Sequence, residues 1–427
     1  MRTFTFRRIL TGISCSRFGN AFPILGRLSL SRIFTRLNSF KRNPTHTLSE
    51  QYRASKNEHH RTVLYALVAA IACFAAGADF MAQRRPEPIH PSFALTTAKR
   101  LSDYLPSLRG SEGESDLYIF EGKEPGGTML VLGGTHPNEP AGFLAAVLLV
   151  ENLQVQKVRV IVLPRANASA FTATEPQEAF PGTIEIPNRL GKPRTFRIGS
   201  RFTNILDGWP DPIICRHYPS GQLLSGNETR NLNRAYPGRV NGTLTERIAY
   251  AITEVVKQEK VGLVIDLHEA APEYPVINAL VAHDRAMDIA GLAAVDLQIE
   301  GLDFRLEPSP ANFHGLIHRE IGDFTNSRVM LFETAGALQG RLRGATDAEL
   351  VLKSNDPLYV RAAELGKLQV PFPKEGIPLE VRVGRHLQAI LSVCGVMREM
   401  DTENSVEFSR IPNYAELQQH GVGFYLQ

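Results

Sequence analysis

The sequence predicts an α/β fold, a central sheet with helices on both faces, preceded by a single hydrophobic N-terminal segment. Three observations predict it. Short apolar runs alternate along the chain with stretches of helical spacing, the pattern of a sheet sandwiched by helices. The runs are apolar throughout rather than alternating with polar residues, as strands covered on both faces are. Before them, Thr62–Ala78 is apolar without a charge, close to the shortest length that spans a bilayer.

Residues 1–61 hold twelve Lys or Arg and two acids, Glu50 and Glu58, and read as a basic, unstructured region. Residues 62–82 read as a transmembrane or signal-anchor segment. The longer basic flank lies on its N-terminal side, which favours an N-terminus in the cytoplasm and the rest of the chain outside. Three other readings stay open, the plainest of them a buried core helix. Ala76-Gly77-Ala78 fits a signal-peptidase site, which would give a secreted or periplasmic product. The acid-free, Arg-rich residues 1–42 fit an organellar presequence. Residues 83–110 read as a linker with an initial helix over Ala94–Tyr104, residues 111–400 as the main domain, and 401–427 as a weakly patterned tail.

Within the main domain, Met129–Leu132 is a short apolar run ending in Gly133-Gly134, a buried strand and tight turn. Glu139–Glu151 is apolar and Ala-rich, a helix. Val158–Leu163, Val261–Leu267, Val276–Ala282 and Arg328–Phe332 read as strands, and Leu244–Gln258 and Ala286–Leu297 as helices. Three strands deliver polar residues at their C-terminal ends: His136 and Glu139 after the first, His268 after Val261–Leu267, and Glu333 after Arg328–Phe332. Ligand sites of open α/β sheets favour that edge. Two histidines and a carboxylate form the three-ligand set of a catalytic zinc, which keeps its fourth position open. Phe171–Ser225 is the least readable stretch, either a lid or a surface excursion.

Composition narrows the classes. The net charge of +3 gives no nucleic-acid signature. The four cysteines include no Cys-x-x-Cys pair, which argues against a disulfide framework and leaves only a Cys215–Cys394 pairing open. His217, Tyr218, His314 and His318 are spare polar candidates that read better as structural or exposed groups.

Five pieces carry a family resemblance: Gly-Gly-Thr-His-Pro-Asn-Glu from Gly133, Leu163–Asn167, Asn231–Gly238, Asp266–His268 and Phe332–Gly336. Together they resemble the succinylglutamate desuccinylase/aspartoacylase family of the zinc carboxypeptidase superfamily. The resemblance implies a zinc-carboxypeptidase-like mixed sheet and one zinc per chain on His136, Glu139 and His268. It also implies that Glu333 is the catalytic carboxylate, that Arg165 polarises the scissile carbonyl, and that Asn233 and Arg234 grip a substrate carboxylate. The expected activity is hydrolysis of an amide in a small carboxylate-bearing substrate such as an N-acyl amino acid. A metallocarboxypeptidase acting on peptides, cell-wall peptides among them, is the alternative, and an inactive zinc-site binding protein a third reading. Partners expected are the small substrate and a membrane through the N-terminal segment, with no nucleic acid. The chain departs from the family pattern at Pro137, at Asn231 where Asp is usual, and at Glu269, which is expected to add a negative charge beside the metal. A C-terminal β-domain like that of aspartoacylases is not expected, because the stretch after Glu333 reads as mostly helical.

Overall fold

The computed structural model describes residues 48–174, 182–208 and 210–427. Of the basic region read as unstructured at residues 1–61, residues 1–47 lie outside the described residues, as does Trp209, and residues 48–61 are helical instead. The chain divides into two compact units, Met1–Ala75 and Ala76–Gln427. Helix α1 (Leu48–Gln83) carries the apolar run, and Val63, Leu67, Ile71 and Phe74 on it are exposed. Lys56–Ala82 is the one helix among the described residues that is long and apolar enough to cross a membrane.

The second unit begins its sheet with β1 (Thr97–Arg100), β2 (Asp116–Glu121) and β3 (Glu124–Leu132), then α2 (Pro140–Asn152) and β4 (Gln154–Leu163). Two short hairpins follow, β5 (Thr183–Pro187) with β6 (Pro193–Arg197), and β7 (Ile214–Arg216) with β8 (Leu223–Ser225). Next come α3 (Leu244–Gln258), β9 (Leu263–Ala270), β10 (Ala279–Ala282), α4 (Met287–Ile299) and β11 (Arg305–Pro308). The chain then forms α5 (Ile317–Phe324), β12 (Arg328–Ala335), α6 (Leu379–Met400) and β13 (Glu407–Ser409). The nine-stranded sheet runs β1-β2-β4-β3-β9-β12-β10-β11, with β13 on β4. It is mixed: β4, β3, β9 and β12 are mutually parallel, whereas β1–β2, β2–β4, β10–β12 and β13–β4 pair antiparallel.

The period-2 geometry of a strand sends alternate side chains to opposite faces, and the apolar strands feed two cores. Met129, Val131, Ile265, Leu267, Met330 and Phe332 join one core with α2, α4 and α6. Leu130, Leu132, Val264, Val329 and Leu331 join the other with α3 and α5. Helix α3 starts where its capping box predicts: Thr243 Oγ1 accepts from Glu246 N, and Glu246 Oε2 accepts from Thr243 N. Helix α2 lies so close to β9 that a Cβ on Gly142 would sit 2.3 Å from the Leu267 carbonyl oxygen. Gly142 therefore sets how near the N-terminus of α2, with Glu139, comes to the end of β9.

Three expectations need correction. The helix expected over Ala94–Tyr104 is instead strand β1 followed by a 3-10 turn at Leu101–Asp103, because Thr97–Arg100 finds a partner in Asp116–Ile119. The sheet also extends past the expected end of the domain at residue 400. Strand β13 pairs with β4, and Leu417 and Leu426 are buried in the core. Cys215 and Cys394 are free thiols, and Cys394 Sγ packs 3.8 Å from Met129 Sδ. After Glu333 the chain is mostly helical, through Ala348–Lys353, Pro357–Glu364, α6 and Tyr414–His420, with β13 the single strand beyond β12.

Candidate metal centre and active site

The turn after β3 is tight because Gly134 adopts a positive φ of 66°, open to glycine at no steric penalty. His136 follows, its carbonyl accepting from Glu139 N at 2.9 Å. Pro140 then opens α2 at its first position, where its missing N–H is no loss. This turn places Glu139 between two imidazoles. His136 Nδ1 is 2.7 Å from Glu139 Oε1, and His268 Nδ1 is 2.9 Å from Glu139 Oε2. One candidate ligand atom from each of the three residues lies within 4.8 Å of the others, and each residue is about 2 % exposed. Two nitrogens and one carboxylate oxygen, all buried and convergent, fit a zinc ion.

Each imidazole is held from behind. His136 Nε2 faces Asn231 Oδ1 at 2.9 Å, and His268 Nε2 faces Asp266 Oδ2 at 2.8 Å. Thr135 Oγ1 donates to Asp266 in turn. Both rings therefore present Nδ1 to the shared centre, the arrangement by which outer partners orient metal-binding histidines. Glu139 Oε2 also accepts from Glu269 N at 3.1 Å.

Glu333 and His268 are directly opposite each other on the adjacent parallel strands β12 and β9, which places the carboxylate beside the cluster. Glu333 Oε2 is buried and has no hydrogen-bond partner among the described residues. Burial pushes the Glu333 pKa up to about 8, against the pull of His268 and with the help of Glu139. Burial, reinforced by Arg201, lowers His136 to about 4. Burial also opposes charge on His268, but the Asp266 and Glu139 carboxylates overcome it and hold its pKa well above the ordinary value. The metal-free cluster thus keeps a proton on His268 that metal ligation must release.

Glu269 does not add a charge beside the cluster. It is one residue along β9 from His268, so its side chain points to the opposite face of the sheet. There Glu269 Oε1 accepts from Arg382 Nη1 of α6 at 2.6 Å, and Oε2 accepts from Ala141 N at the start of α2. Arg382 is fully buried.

Arg165 is not brought to the cluster. Its Nη2 lies 3.1 Å from Glu87 Oε1 and donates to the Glu87 carbonyl at 2.6 Å. Arg197 holds the other Glu87 oxygen. The guanidinium at the cluster belongs to Arg201, whose Nη1 is 3.2 Å from Glu139 Oε1 and 3.4 Å from His136 Nδ1. Arg201 falls in the stretch that could not be read from the sequence, in a loop after β6 with no local signal to mark it.

Asn233 and Arg234 lie in a short turn at residues 232–234, capped by Asn231, whose side chain accepts from Asn233 N. Asn233 Oδ1 accepts from Ile317 N at 2.9 Å at the start of α5, which leaves its Nδ2 as the group to meet a ligand. Arg234 stacks over Phe313 at 4.8 Å and stands 3.8 Å from Glu228. Burial, then the neighbouring Arg201, lowers its pKa to about 10, so it stays cationic at neutral pH. His217 and His318 serve structure, with His217 Nε2 on the Tyr236 carbonyl and His318 Nδ1 on Ser309 Oγ.

Residues 125–315 match the model of the succinylglutamate desuccinylase/aspartoacylase catalytic domain. The matched stretch is similar to that catalytic domain and holds His136, Glu139, Asn233, Arg234 and His268, while Glu333 lies beyond it. The match agrees with the family resemblance drawn from the five motifs. No curated protein matches the chain. Solved structures similar to it include the product-bound ectoine utilization protein EutE (DoeB) from Ruegeria pomeroyi, at 18 % identity over 61 % of this chain and 63 % of that one, TM-score 0.33. A succinylglutamate desuccinylase/aspartoacylase from Rhodobacter sphaeroides matches at 18 % identity over 67 % and 59 %, TM-score 0.36. The apo cell shape determinant protein Csd4 from Helicobacter pylori matches at 13 % identity over 71 % and 58 %, TM-score 0.40. The chain spans less than two thirds of the length of each of these three.

Proposed function

We propose that this chain is a zinc-dependent deacylase that hydrolyses the amide of a small, carboxylate-bearing N-acyl amino acid. The observation that carries the reading is the pairing of a buried His136–Glu139–His268 cluster with Glu333 on the next strand, one of whose carboxylate oxygens is buried without a partner. A buried carboxylate oxygen without a partner is costly for stability, and a functional use accounts for its retention. Zinc on His136, Glu139 and His268 would supply a Lewis acid that polarises a carbonyl and acidifies a water.

The protein groups do the rest. Glu333 takes a proton from the attacking water and delivers it to the nitrogen as the C–N bond breaks. A carboxylate raised to about 8 is poised to exchange protons near neutral pH. Arg201, in the role the family resemblance implied for Arg165, stabilises charge developing on the carbonyl oxygen. Arg234 offers a fork that matches a carboxylate, with Asn233 Nδ2 as a neutral donor beside it. For location we propose a single-pass anchor at residues 62–82 with the catalytic domain outside the cytoplasm, motivated by the uncharged run and its more basic N-terminal flank. Protease added to sealed vesicles of known orientation should then degrade the catalytic domain, and full protection would reverse that topology.

The function is tested with purified protein, metal analysis and a panel of N-acyl amino acids set against short peptides. About one zinc per chain, turnover of the acyl amino acids and its loss on chelation are expected. His136→Ala and His268→Ala should lose the metal, whereas Glu333→Gln should keep it and lose kcat with little change in substrate affinity. Turnover of the peptides alone would replace the deacylase with a carboxypeptidase.

A further inference from the structure

The chain is pinned to the sheet domain within a few residues of its apolar helix. Only Arg84–Pro86 follow α1 before Glu87, whose carboxylate is held by Arg165 and Arg197. The Pro88 carbonyl then accepts from Arg194 Nη2 at 2.9 Å, His90 N donates to Glu151 Oε1 at 3.0 Å, and Ser92 N donates to the Val150 carbonyl at 2.9 Å. Fully extended, the chain from Gln83 to Glu87 spans at most about 15 Å. A connection this short, with the next residues bonded in place, limits how far the surface around residues 87–93 can move from the end of the apolar run.

That surface is both apolar and basic. A cavity of about 1040 Å³ opens on it, lined by Phe93, by Arg189 and Leu190 from the tip of the β5–β6 hairpin, and by Arg410 and Phe424. Phe93 is 77 % exposed, Leu190 76 % and Phe424 38 %, so an apolar partner gains by covering them. Each guanidinium lies over an aromatic ring, Arg189 at 4.8 Å from the Phe424 centroid and Arg410 at 5.6 Å from that of Phe93. Stacking covers one face of a guanidinium and leaves its in-plane N–H groups to meet an oxyanion. The acidic side chain of the lining, Glu151, is committed inward: Oε1 accepts from His90 N and Arg194 Nη2, and Oε2 accepts from Gln427 N. Exposed apolar groups interleaved with guanidiniums suit a phospholipid surface, where rings and chains enter the acyl boundary and cations meet headgroup phosphates. A second copy of this chain fits less well, because it would set arginines against arginines.

We propose that the rim of this cavity is a bilayer-docking face, with Phe93, Leu190 and Phe424 at the acyl boundary and Arg189 and Arg410 on anionic phospholipid headgroups. The face rests on the anchor proposed for residues 62–82, which brings it to the membrane, and the test reads the two separately. The full chain carrying Trp209→Phe and Leu190→Trp is reconstituted into phosphatidylcholine vesicles with and without phosphatidylglycerol, with bromine on the acyl chains as quencher. Carbonate extraction reads the anchor, and quenching of the new tryptophan reads the face. Quenching is expected in the vesicles that contain phosphatidylglycerol and should weaken sharply without it. Arg189→Gln with Arg410→Gln should lower the ratio of quenched to unquenched protein by roughly twenty-five-fold, about fivefold for each cation removed from an anionic surface, with thermal unfolding unchanged. Absence of quenching with phosphatidylglycerol, or quenching that survives the double substitution, overturns the docking face. Arginine-dependent quenching in a protein that carbonate extracts supports the face and removes the anchor instead.

Discussion

His136 Nε2 lies 2.9 Å from Asn231 Oδ1, and Asn231 Nδ2 in turn donates to Glu228 Oε2 at 2.7 Å. The amide joins a candidate metal ligand to a carboxylate, with its acceptor end toward the imidazole and its donor end toward Glu228. The orientation is fixed twice, because Asn231 Oδ1 also accepts from Asn233 N. This explains the departure from Asp at the position. A carboxylate there would stand within hydrogen-bonding distance of the Glu228 carboxylate inside the protein, where Asn231 is wholly buried.

Asn231→Asp should therefore destabilise the metal-free protein by about 1–3 kcal/mol, the cost of a buried polar group that loses its partner. Adding Glu228→Gln should recover most of that loss, because the new amide can donate to the introduced carboxylate. Urea unfolding of the four proteins of this cycle measures the coupling. Equal stability of the single and double variants would mean that Glu228 is not the reason for the asparagine.

The two arginines should separate by their effects. Arg201→Gln should lower kcat by about a hundredfold to a thousandfold, typical of losing a donor to a developing oxyanion, while leaving the fold intact. Arg165→Gln should leave kcat nearly unchanged and lower stability by about 1–3 kcal/mol through Glu87, which would keep only Arg197. Steady-state kinetics with thermal unfolding on both variants decides it, and a large kcat loss confined to Arg165→Gln would return that residue to the active site.

Much of this arrangement is legible in the sequence. His136, Glu139, His268 and Glu333 each follow or end an apolar run, and parallel strands place such ends together. Leu244–Gln258 is readable to the residue because its apolar spacing and its Thr243–Glu246 cap agree. What escapes the sequence depends on distant partners. Arg201 meets Glu139, 62 residues away, and nothing in its own loop marks it. Thr97–Arg100 has helix-compatible spacing, but pairing with β2 decides its conformation. Glu269 looks like a charge beside the metal until strand alternation turns it to Arg382. Arg165 sits in a matching motif, and Glu87, far upstream, determines where its guanidinium goes.

The Glu269–Arg382 pair is a second place where a buried charge has one specific partner. Arg382 Nη1 meets Glu269 Oε1, and the rest of its guanidinium bonds the Ile377 and Val351 carbonyls. Burial pushes the Glu269 pKa up even though Arg382 opposes it. Arg382→Met should cost about 3–5 kcal/mol, as breaking one side of a buried pair does. Glu269→Gln with Arg382→Met should cost less than Arg382→Met alone. Denaturant unfolding of the three variants tests this. If the double variant is the least stable of them, packing of α6 rather than charge governs the site.

The last prediction concerns acid. His318 and His386 are buried, and desolvation, with neighbouring cationic groups led by His268 adding to it, lowers the pKa of each to about 3 from an ordinary 6.5. His386 Nδ1 has no hydrogen-bond partner among the described residues, and its Nε2 reaches only Thr334 Oγ1 at 3.4 Å. A folded-state pKa below the unfolded value means that the unfolded chain takes up protons first as the pH falls. The stability each histidine contributes is thus complete above about pH 6.5 and is lost progressively as the pH falls toward 3. At pH 5 the loss is about 2 kcal/mol for each. His136, lowered to about 4, adds to it in the metal-free protein. Urea unfolding at pH 7 and pH 5 in the presence of a chelator separates this effect from acid release of metal. His386→Gln should shrink the difference between the two pH values by about 2 kcal/mol, whatever it does to stability at pH 7. An unchanged difference would show that His386 is protonated in the folded protein, and that the interior around α6 accommodates its charge.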